Sequence, residues 1–384
     1  MKLLVLAHTP PPLHGQSLMV GTLVEGLPAH GIALHHVNFL LSHAAADIGR
    51  WRPAKVWHTF AGAVRAVRAR FRHGCDTLYY IPAPAKRGAL YRDWLVMLIC
   101  RPFFPRLVLH WHAAGLTAWL DGKATRLERT ITRALLGRAD LSIVLSDSLH
   151  SDAAKLRARR VIVVRNGIAD PGPPPKPPRR TQATAEPCRV LFLGLCSEEK
   201  GLFAATAAIV EANRRSAEAS LDSSPAFTLT AAGPFENEST ATRFRALAAQ
   251  HPAALRHVGV VGGAEKENLF AECHLVCLPT RYPAEASPLV LLEALAHDRP
   301  ILATRWRGIP EIVSADIGRI VSPGDDGALA EALLALRATP PDAGRARSRY
   351  LARYTVERHL HALAAALRTL EIVPPLARAD SSEK

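Results

Sequence analysis

Paired or motif-spaced cysteine is missing from this 384-residue chain. Its six cysteines, at positions 75, 100, 188, 196, 273 and 277, make no CxxC and no shared spacing with histidine. That pattern excludes a disulfide scaffold and a zinc ribbon as the basis of the fold, and no metal site is expected. Cys273 and Cys277 flank His274-Leu275-Val276 and read as small core hydrophobes. Long hydrophobic runs are also missing. The best candidate, Trp94 to Leu109, is broken by Arg101, Pro102 and Pro105, so no bilayer span is expected. The apolar run Leu3 to Ala7 stops at His8-Thr9-Pro10, too short for the core of a signal peptide, and reads as a first buried strand. A cytoplasmic protein is therefore expected, with peripheral contact at the inner face of the membrane left open.

Acidic residues are scarce in one half only. Residues 1–170 hold 23 Lys and Arg against 10 Asp and Glu, whereas residues 187–384 hold 22 against 23. The whole chain carries a formal +14, so its cationic excess belongs to the first half, which is expected to face something anionic. Charge alone would also admit a nucleic-acid-binding protein. No nucleic-acid module or aromatic stacking motif accompanies it, and no nucleic-acid partner is expected.

What the sequence does contain is a repeated grammar of short apolar strands and helical patterns. Length favours two domains. The proline-rich stretch 171–187 reads as a linker between an N-terminal domain, 1–170, and a C-terminal domain, 188–345. A C-terminal helix over 346–371 closes the fold ahead of a polar tail, 372–384, expected to be disordered. Strands are expected at Leu3–Ala7, Ile32–Val37, Thr77–Ile81, Leu107–His110, Leu141–Leu145 and Val161–Val164. The second half gives Val190–Leu193, Phe227–Ala231, His257–Val261, Leu275–Leu278, Ile301–Ala303 and Gly318–Val321. Many are continuously apolar, as strands covered on both faces are. The expected class is α/β: two Rossmann-like, doubly wound domains facing across a cleft at the carboxyl ends of their strands.

The most informative stretch runs from His274 to Ala296. A buried strand ends at Leu278, a loop carries Glu285, and a helix is expected from Ser287-Pro288, with Ser capping and Pro at the first turn. The leading N–H groups of such a helix form an anion site. Glu285 and Glu293 are then at most about 12 Å apart, roughly the span from the hexose to the ribose of a nucleotide sugar. Alone, such a pair also reads as a loop carboxylate near a helix dipole and a solvated helical one.

The residues around this pair resemble the GT-B glycosyltransferases of family 4, which are retaining enzymes. The resemblance rests on Leu278-Pro279-Thr280, the Glu285 and Glu293 pair, Pro300 to Thr304, and Gly308-Ile309-Pro310-Glu311. Phe192-Leu193-Gly194 through Lys200-Gly201, Ala232-Gly233-Pro234 and Val258 to Gly262 match further parts of the donor domain. Pro11 to Gln16 resembles the N-terminal glycine loop, and Val163 to Ile168 the end of the acceptor domain.

The resemblance implies a nucleotide-sugar donor, UDP- or GDP-linked, as substrate, with no cofactor and no metal. Glu285 would hold the donor sugar's hydroxyls, and Glu293 the ribose. Lys200 would neutralise the leaving diphosphate, assisted by the backbone of Ala286, Ser287, Pro288 and Leu289. Gly15 and Gly194 would let backbone approach the donor closely. His112, in His110-Trp111-His112, would position the sugar; a strand-end histidine bonded to backbone is the plainer reading. The sequence departs from the family at His14, Leu195, Ala286 and Ser287. Where Leu195 stands the family usually has Arg or another polar residue, and Arg281 and Arg305 are candidates to replace that cation. Arg92-Asp93 is expected to be structural. A nucleotide-sugar epimerase of the same architecture is the alternative, although it leaves the basic acceptor half unexplained.

The implied acceptor is a glycan or a lipid-linked glycan, as in cell-surface polysaccharide or lipopolysaccharide assembly. Within 50–72, Val56, Phe60, Val64, Val67 and Phe71 form one helical stripe beside Arg65, Arg68 and Arg72, with Trp51 and Trp57 near the start. That pattern fits an anionic membrane surface, or a surface helix whose apolar stripe packs on the sheet.

Overall fold

The computed structural model describes residues 1–11, 14–39, 53–173, 186–218 and 224–372. The side chains of residues 53–55 are not described, and most of the linker and the tail after 372 lie outside this set. The chain divides into two compact units, Met1–Gly167 with Val356–Lys384, and Ile168–Thr355.

Unit 1 is built on a six-stranded parallel sheet: β1 (Lys2–Ala7), β2 (Ala33–Asn38), β3 (Thr77–Tyr80), β4 (Arg106–Trp111), β5 (Leu141–Val144) and β6 (Val161–Val163), in the order β2-β1-β3-β4-β5-β6. Its principal helices are α1 (Gly15–Gly26), α2 (Pro53–His73), α3 (Arg87–Cys100), α4 (Leu116–Gly122), α5 (Arg126–Leu136) and α6 (His150–Lys155). Leu3, Val5, Tyr79, Ile81, Val108 and Ile143 form one core with Val20 and Leu23 of α1 and with the chain's last helix. Because strand side chains alternate, Leu4, Leu6, Leu78 and Leu109 serve the other face, where α2, α3 and α5 pack side by side.

Unit 2 repeats the plan with β7 (Cys188–Leu193), β8 (Phe227–Ala232), β9 (Leu255–His257), β10 (Leu275–Leu278), β11 (Ile301–Thr304) and β12 (Gly318–Val321). The order β12-β11-β10-β7-β8-β9 makes β7 and β10 neighbours, so the chain winds outward in both directions from the gap between them. In such sheets ligands bind past the carboxyl ends of the two strands at this switch point. The helices are α7 (Leu202–Glu218), α8 (Glu238–Gln250), α9 (Gly263–Glu272), α10 (Leu289–Ala296), α11 (Ile309–Ile312), α12 (Asp326–Ala338) and α13 (Arg345–Arg353). The sixfold strand count expected for each half holds.

Three expectations need correction. The unit boundary falls at Gly167/Ile168, because Ile168 N–H donates to Tyr354 O and Asp170 pairs with Arg347 at 2.6 Å, both within unit 2. The single closing helix is two helices, α13 and α14 (Val356–Arg368), assigned to different units. Tyr354 is buried with its hydroxyl on Glu311 O, and Thr355 forms a β-bridge with Ile168, which draws the backbone out of the helix between them. The third strand of unit 2 is Leu255–His257 rather than His257–Val261, since Gly259 turns at φ +79° and Val260 is exposed.

Helix α2 was open to two readings, an apolar stripe on an anionic surface or one packed on the sheet. Its buried stripe consists of Thr59, Ala63, Ala66 and Ala69, with Gly62, while Val56, Trp57, Phe60 and Phe71 are exposed and Val64 and Val67 are half-buried. Small residues let the helix lie close to its neighbours.

Gly201 joins the two loops at the switch point. It has φ +89°, and a Cβ there would stand 2.3 Å from Pro279 O. Gly201→Ala is expected to lower stability by about 1–3 kcal/mol, read as a drop in the thermal midpoint. An unchanged midpoint would mean that the two loops are not held in this contact.

Candidate functional site

The site in unit 2 grows from the ends of β7 and β10. After Leu193 the chain turns through Gly194 at φ +145°, and a Cβ on Gly233 would lie 1.8 Å from Gly194 O, so the ends of β7 and β8 meet backbone to backbone. The following loop is fixed by Cys196 N–H on Pro234 O and by Lys200 N–H on Ser197 Oγ. Glu199 O accepts from Arg281 N at 2.8 Å, and Thr280 Oγ1 lies 3.3 Å from it. These bonds lace the loop of Lys200 to the loop of Glu285.

Lys200 Nζ donates to Glu285 Oε2 at 2.6 Å and lies 4.9 Å from the centre of the Tyr282 ring. Glu285 is only 7% exposed, and Thr280 Oγ1 stands 3.5 Å from the same carboxylate oxygen. Glu285 N–H donates to Tyr282 O, which also accepts from Trp306 Nε1 at 2.8 Å, so the carboxylate loop is anchored to the start of α11. A lysine ammonium has three donors. One is held by Glu285, which leaves two that an incoming anion could take.

Helix α10 begins at Leu289 with Pro288 as its cap, one residue later than expected, and Ser287 does not cap it. The proline fixes the entry into the helix, and the leading N–H groups of the first turn have no intrahelical acceptors. Ala286 is buried. Glu293, in the second turn of α10, bonds Lys266 Nζ of α9 at 2.8 Å. Close by, His297 bridges Glu293 O and Glu267 Oε2, clamping α9 to α10. Each carboxylate assigned to the donor is thus paired with a lysine. Of the two cations suggested as substitutes at Leu195, Arg281 is engaged with Glu198 at 3.1 Å and Arg305 is exposed.

In unit 1, Gly15 opens α1 with His14 as its cap, His14 Nδ1 accepting from Ser17 N–H at 3.2 Å. Pro12 and Leu13 of this loop lie outside the described residues. His112 follows β4. It bonds not to backbone but to a second histidine, its Nε2 lying 3.3 Å from His110 Nδ1, and Tyr79 Oη lies 2.5 Å from the same nitrogen. Burial pushes the His112 imidazole down to about 3, reinforced by His359 and His14. His110 is held well below the ordinary histidine value and His359 below it, in both cases chiefly by burial. Arg92-Asp93 is structural. It lies inside α3, where Asp93 accepts from Tyr80 Oη, Ala83 N–H and Arg92.

The six cysteines are all buried, and burial pushes the thiols of Cys100, Cys196, Cys273 and Cys277 up to about 12. Arg65, Arg68 and Arg72 are exposed on α2, Arg65 with one N–H on Asn38 O. Sequence reasoning missed Lys266, Tyr282 and His110, each of which touches a residue it had chosen, and Tyr79, which reaches His112 through His110.

Two parallel six-stranded units of Rossmann type, with a cation and a carboxylate at the switch point of the second, define the GT-B architecture. Residues 187–339, most of unit 2, match the family described as glycosyl transferases group 1. A protein named for a colanic acid biosynthesis glycosyltransferase, WcaL of Escherichia coli (strain K12), is 29% identical over 210 residues, 52% of this chain and 48% of its own. The chain thus aligns with about half the length of that curated relative.

Among solved structures, sucrose-phosphate synthase from Thermosynechococcus elongatus superposes with a TM-score of 0.72 at 19% identity, over 97% of this chain and 99% of its own. Anabaena HepE in complex with UDP-glucose gives 0.68 at 18% identity, over 97% and 100%. These likenesses establish the GT-B fold. Among the described residues, no helix is long and apolar enough to cross a membrane.

The depressed histidines give a signed prediction. An unfolded chain protonates His110, His112 and His359 below about 6.5, while the folded unit keeps all three neutral to lower pH, His112 down to about 3. Stability should be level above pH 6.5 and fall as pH drops from 6.5 towards 3, each histidine adding up to about 1.4 kcal/mol per pH unit. Glu128, held down to about 2 by Thr125 N–H, Tyr91 and Arg87, contributes stability that is fully present above about pH 4.5 and is lost only as pH falls from there towards 2. Between pH 6.5 and 5 the histidines dominate, and a flat midpoint there would contradict their neutral burial.

Proposed function

We propose that the chain is a retaining glycosyltransferase that moves a sugar from a nucleoside-diphosphate sugar, UDP- or GDP-linked, to a glycan or lipid-linked acceptor in cell-surface polysaccharide or lipopolysaccharide assembly. The observation that carries this reading is the Lys200–Glu285 pair at the carboxyl ends of the switch-point strands, beside the first turn of α10. As the glycosidic bond to the diphosphate breaks, negative charge grows on the leaving oxygen. Lys200 and the backbone N–H groups of Ala286, Ser287 and Leu289, before and at the start of α10, answer it, and no metal is invoked. Glu285, released from part of its bond to Lys200, holds the sugar hydroxyls. Glu293, steadied by Lys266, receives the ribose. Gly15 and Gly194 allow close backbone approach, and His112 positions the sugar. The half-length relative named for colanic acid biosynthesis supports the polysaccharide context.

A screen of nucleotide sugars by thermal shift and by hydrolysis without acceptor tests this reading, because hydrolysis reports the donor directly. Glu285→Ala and Lys200→Ala should each lower turnover by at least a hundredfold while leaving a cooperative unfolding transition. Normal transfer by both variants would remove the site. Turnover of the nucleotide sugar to its stereoisomer, with neither transfer nor hydrolysis, would favour the epimerase.

A peripheral location at an anionic membrane is supported by a separate observation, the outward aromatic stripe of α2 beside exposed arginines. Trp57 and Phe60 stack 5.7 Å apart there, and Leu98 and Phe103, from α3 and the turn after it, are exposed as well. The acids on α3 and α5, Asp93 and Glu128, are buried, and α2 has none. Co-sedimentation with vesicles should require anionic lipid. Changing Arg65, Arg68 and Arg72 to Ser should weaken it on the order of a hundredfold, at about 1 kcal/mol per arginine. Unchanged binding would reject this helix as the contact.

A further inference from the structure

His112 is neutral at ordinary pH, so what it can do depends on which ring nitrogen carries the proton. The bonds behind it decide this. Tyr79 is fully buried, and among the described residues its hydroxyl meets one partner, His110 Nδ1 at 2.5 Å. His110 Nε2 is buried without a partner.

Two arrangements are open. If His110 Nδ1 carried the proton and donated to Tyr79, the phenolic hydrogen and the Nε2 lone pair would both be stranded. If Tyr79 donates to Nδ1, only the Nε2–H is stranded. Buried polar groups are overwhelmingly paired, so the second arrangement wins. Burial also holds the Tyr79 phenol far above its ordinary value, so it keeps its hydrogen. His110 Nδ1 has a single lone pair, taken first by Tyr79 at 2.5 Å; His112 Nε2, 3.3 Å from it, avoids two facing lone pairs only as an N–H that shares this acceptor as a second, longer donor. Its Nδ1 is left with a lone pair and, among the described residues, no partner.

We propose that Tyr79 is a positioning residue which, through His110, fixes His112 with its proton on Nε2 and presents Nδ1 as a hydrogen-bond acceptor for a substrate hydroxyl. A hydroxyl can donate to that nitrogen; a carboxylate at the same place cannot, and two lone pairs would oppose each other. The relay selects a neutral, hydroxyl-bearing group where His112 meets substrate. The neighbours facing this pair, His14 from the start of α1 and His359 from α14, are imidazoles as well and supply no carboxylate that would favour a second proton.

The tautomer does not depend on the proposed activity; its use in sugar positioning does. Long-range proton–nitrogen correlation on the 15N-labelled protein at pH 7.5 reads the tautomer, with His112→Asn assigning the signals. The expected result is an unprotonated Nδ1 and a protonated Nε2 on His112. In Tyr79→Phe, His110 is free to move its proton to Nδ1 and donate to His112, and the His112 signals should move towards the opposite tautomer. A protonated His112 Nδ1 in the unaltered protein would overturn the proposal, as would an unmoved spectrum in a folded Tyr79→Phe. If that variant does not fold, the spectrum of the unaltered protein decides alone.

The functional arm is separate. Tyr79→Phe should raise KM for the nucleotide sugar about fivefold, the effect of one hydrogen bond, with affinity for the bare nucleoside diphosphate unchanged. An equal loss for both would refute the hydroxyl assignment, and a donor screen negative in the unaltered protein would instead refute the glycosyltransferase reading.

Discussion

A carboxylate that is 7% exposed cannot stand alone, and Glu285 is held by Lys200 at 2.6 Å. Much of unit 2 follows from that requirement. A buried charge without a partner costs several kcal/mol, so the loops that carry the two residues, 85 positions apart, must meet. Glycine at 201 lets the first loop pass within van der Waals distance of Pro279 O, and the Glu199 carbonyl takes hydrogen bonds from the second loop. Tyr282 and Trp306 fix the far side. In the proposed reaction a diphosphate beside Lys200 would compete for the same ammonium, and a sugar hydroxyl would replace the donor that Glu285 gives up. On that proposal the ion pair is made of the two groups that the donor uses.

The parallel sheets were legible because their strands are buried on both faces and so read as continuous apolar runs. Eleven of the twelve expected strands overlap an observed one over most of their length. The exception shows the limit of the rule. Val258-Gly259-Val260-Val261 is apolar, yet Gly259 adopts a left-handed conformation and Val260 stands in solvent, so hydrophobicity without a sheet neighbour made no strand. Helix α2 shows a similar limit. Its pattern left open whether the large apolar stripe faces outward or packs on the sheet, and a close helix-to-sheet approach places Ala63, Ala66 and Ala69 inward instead. The C-terminal helix was read as continuous because nothing in Tyr354-Thr355 forbids a helix. Only the pairing of Thr355 with Ile168, 187 residues earlier, breaks it.

The site was legible to the extent that it lies within one stretch of chain. Glu285, Pro288 and Glu293 follow one another along a strand, a loop and a helix, so local pattern places them together. Lys266 and Tyr79 meet their partners only through the sheet order: α9 is laid beside α10, and β3 beside β4. No spacing rule marks such residues, since their partners lie 27 and 31 positions away.

The uneven charge of the chain and the neutrality of its histidines belong to one design. Two buried carboxylates of unit 1 are occupied, Asp93 by Tyr80, Arg92 and Ala83 N–H, and Glu128 by Arg87, Tyr91 and Thr125. Among the described residues, the titratable groups that act on His14, His110 and His112 are other imidazoles, and no carboxylate acts on these three or on His359. Burial is the larger force against protonation there, and neighbouring imidazoles add to it. A lone carboxylate beside His112 would raise its proton affinity and turn both ring nitrogens into donors. The same scarcity of free carboxylates leaves the outer faces of α2, α3 and α5 with exposed charges of one sign. A surface suited to an anionic partner and an interior that keeps its histidines neutral thus both follow from where unit 1 withholds its acids.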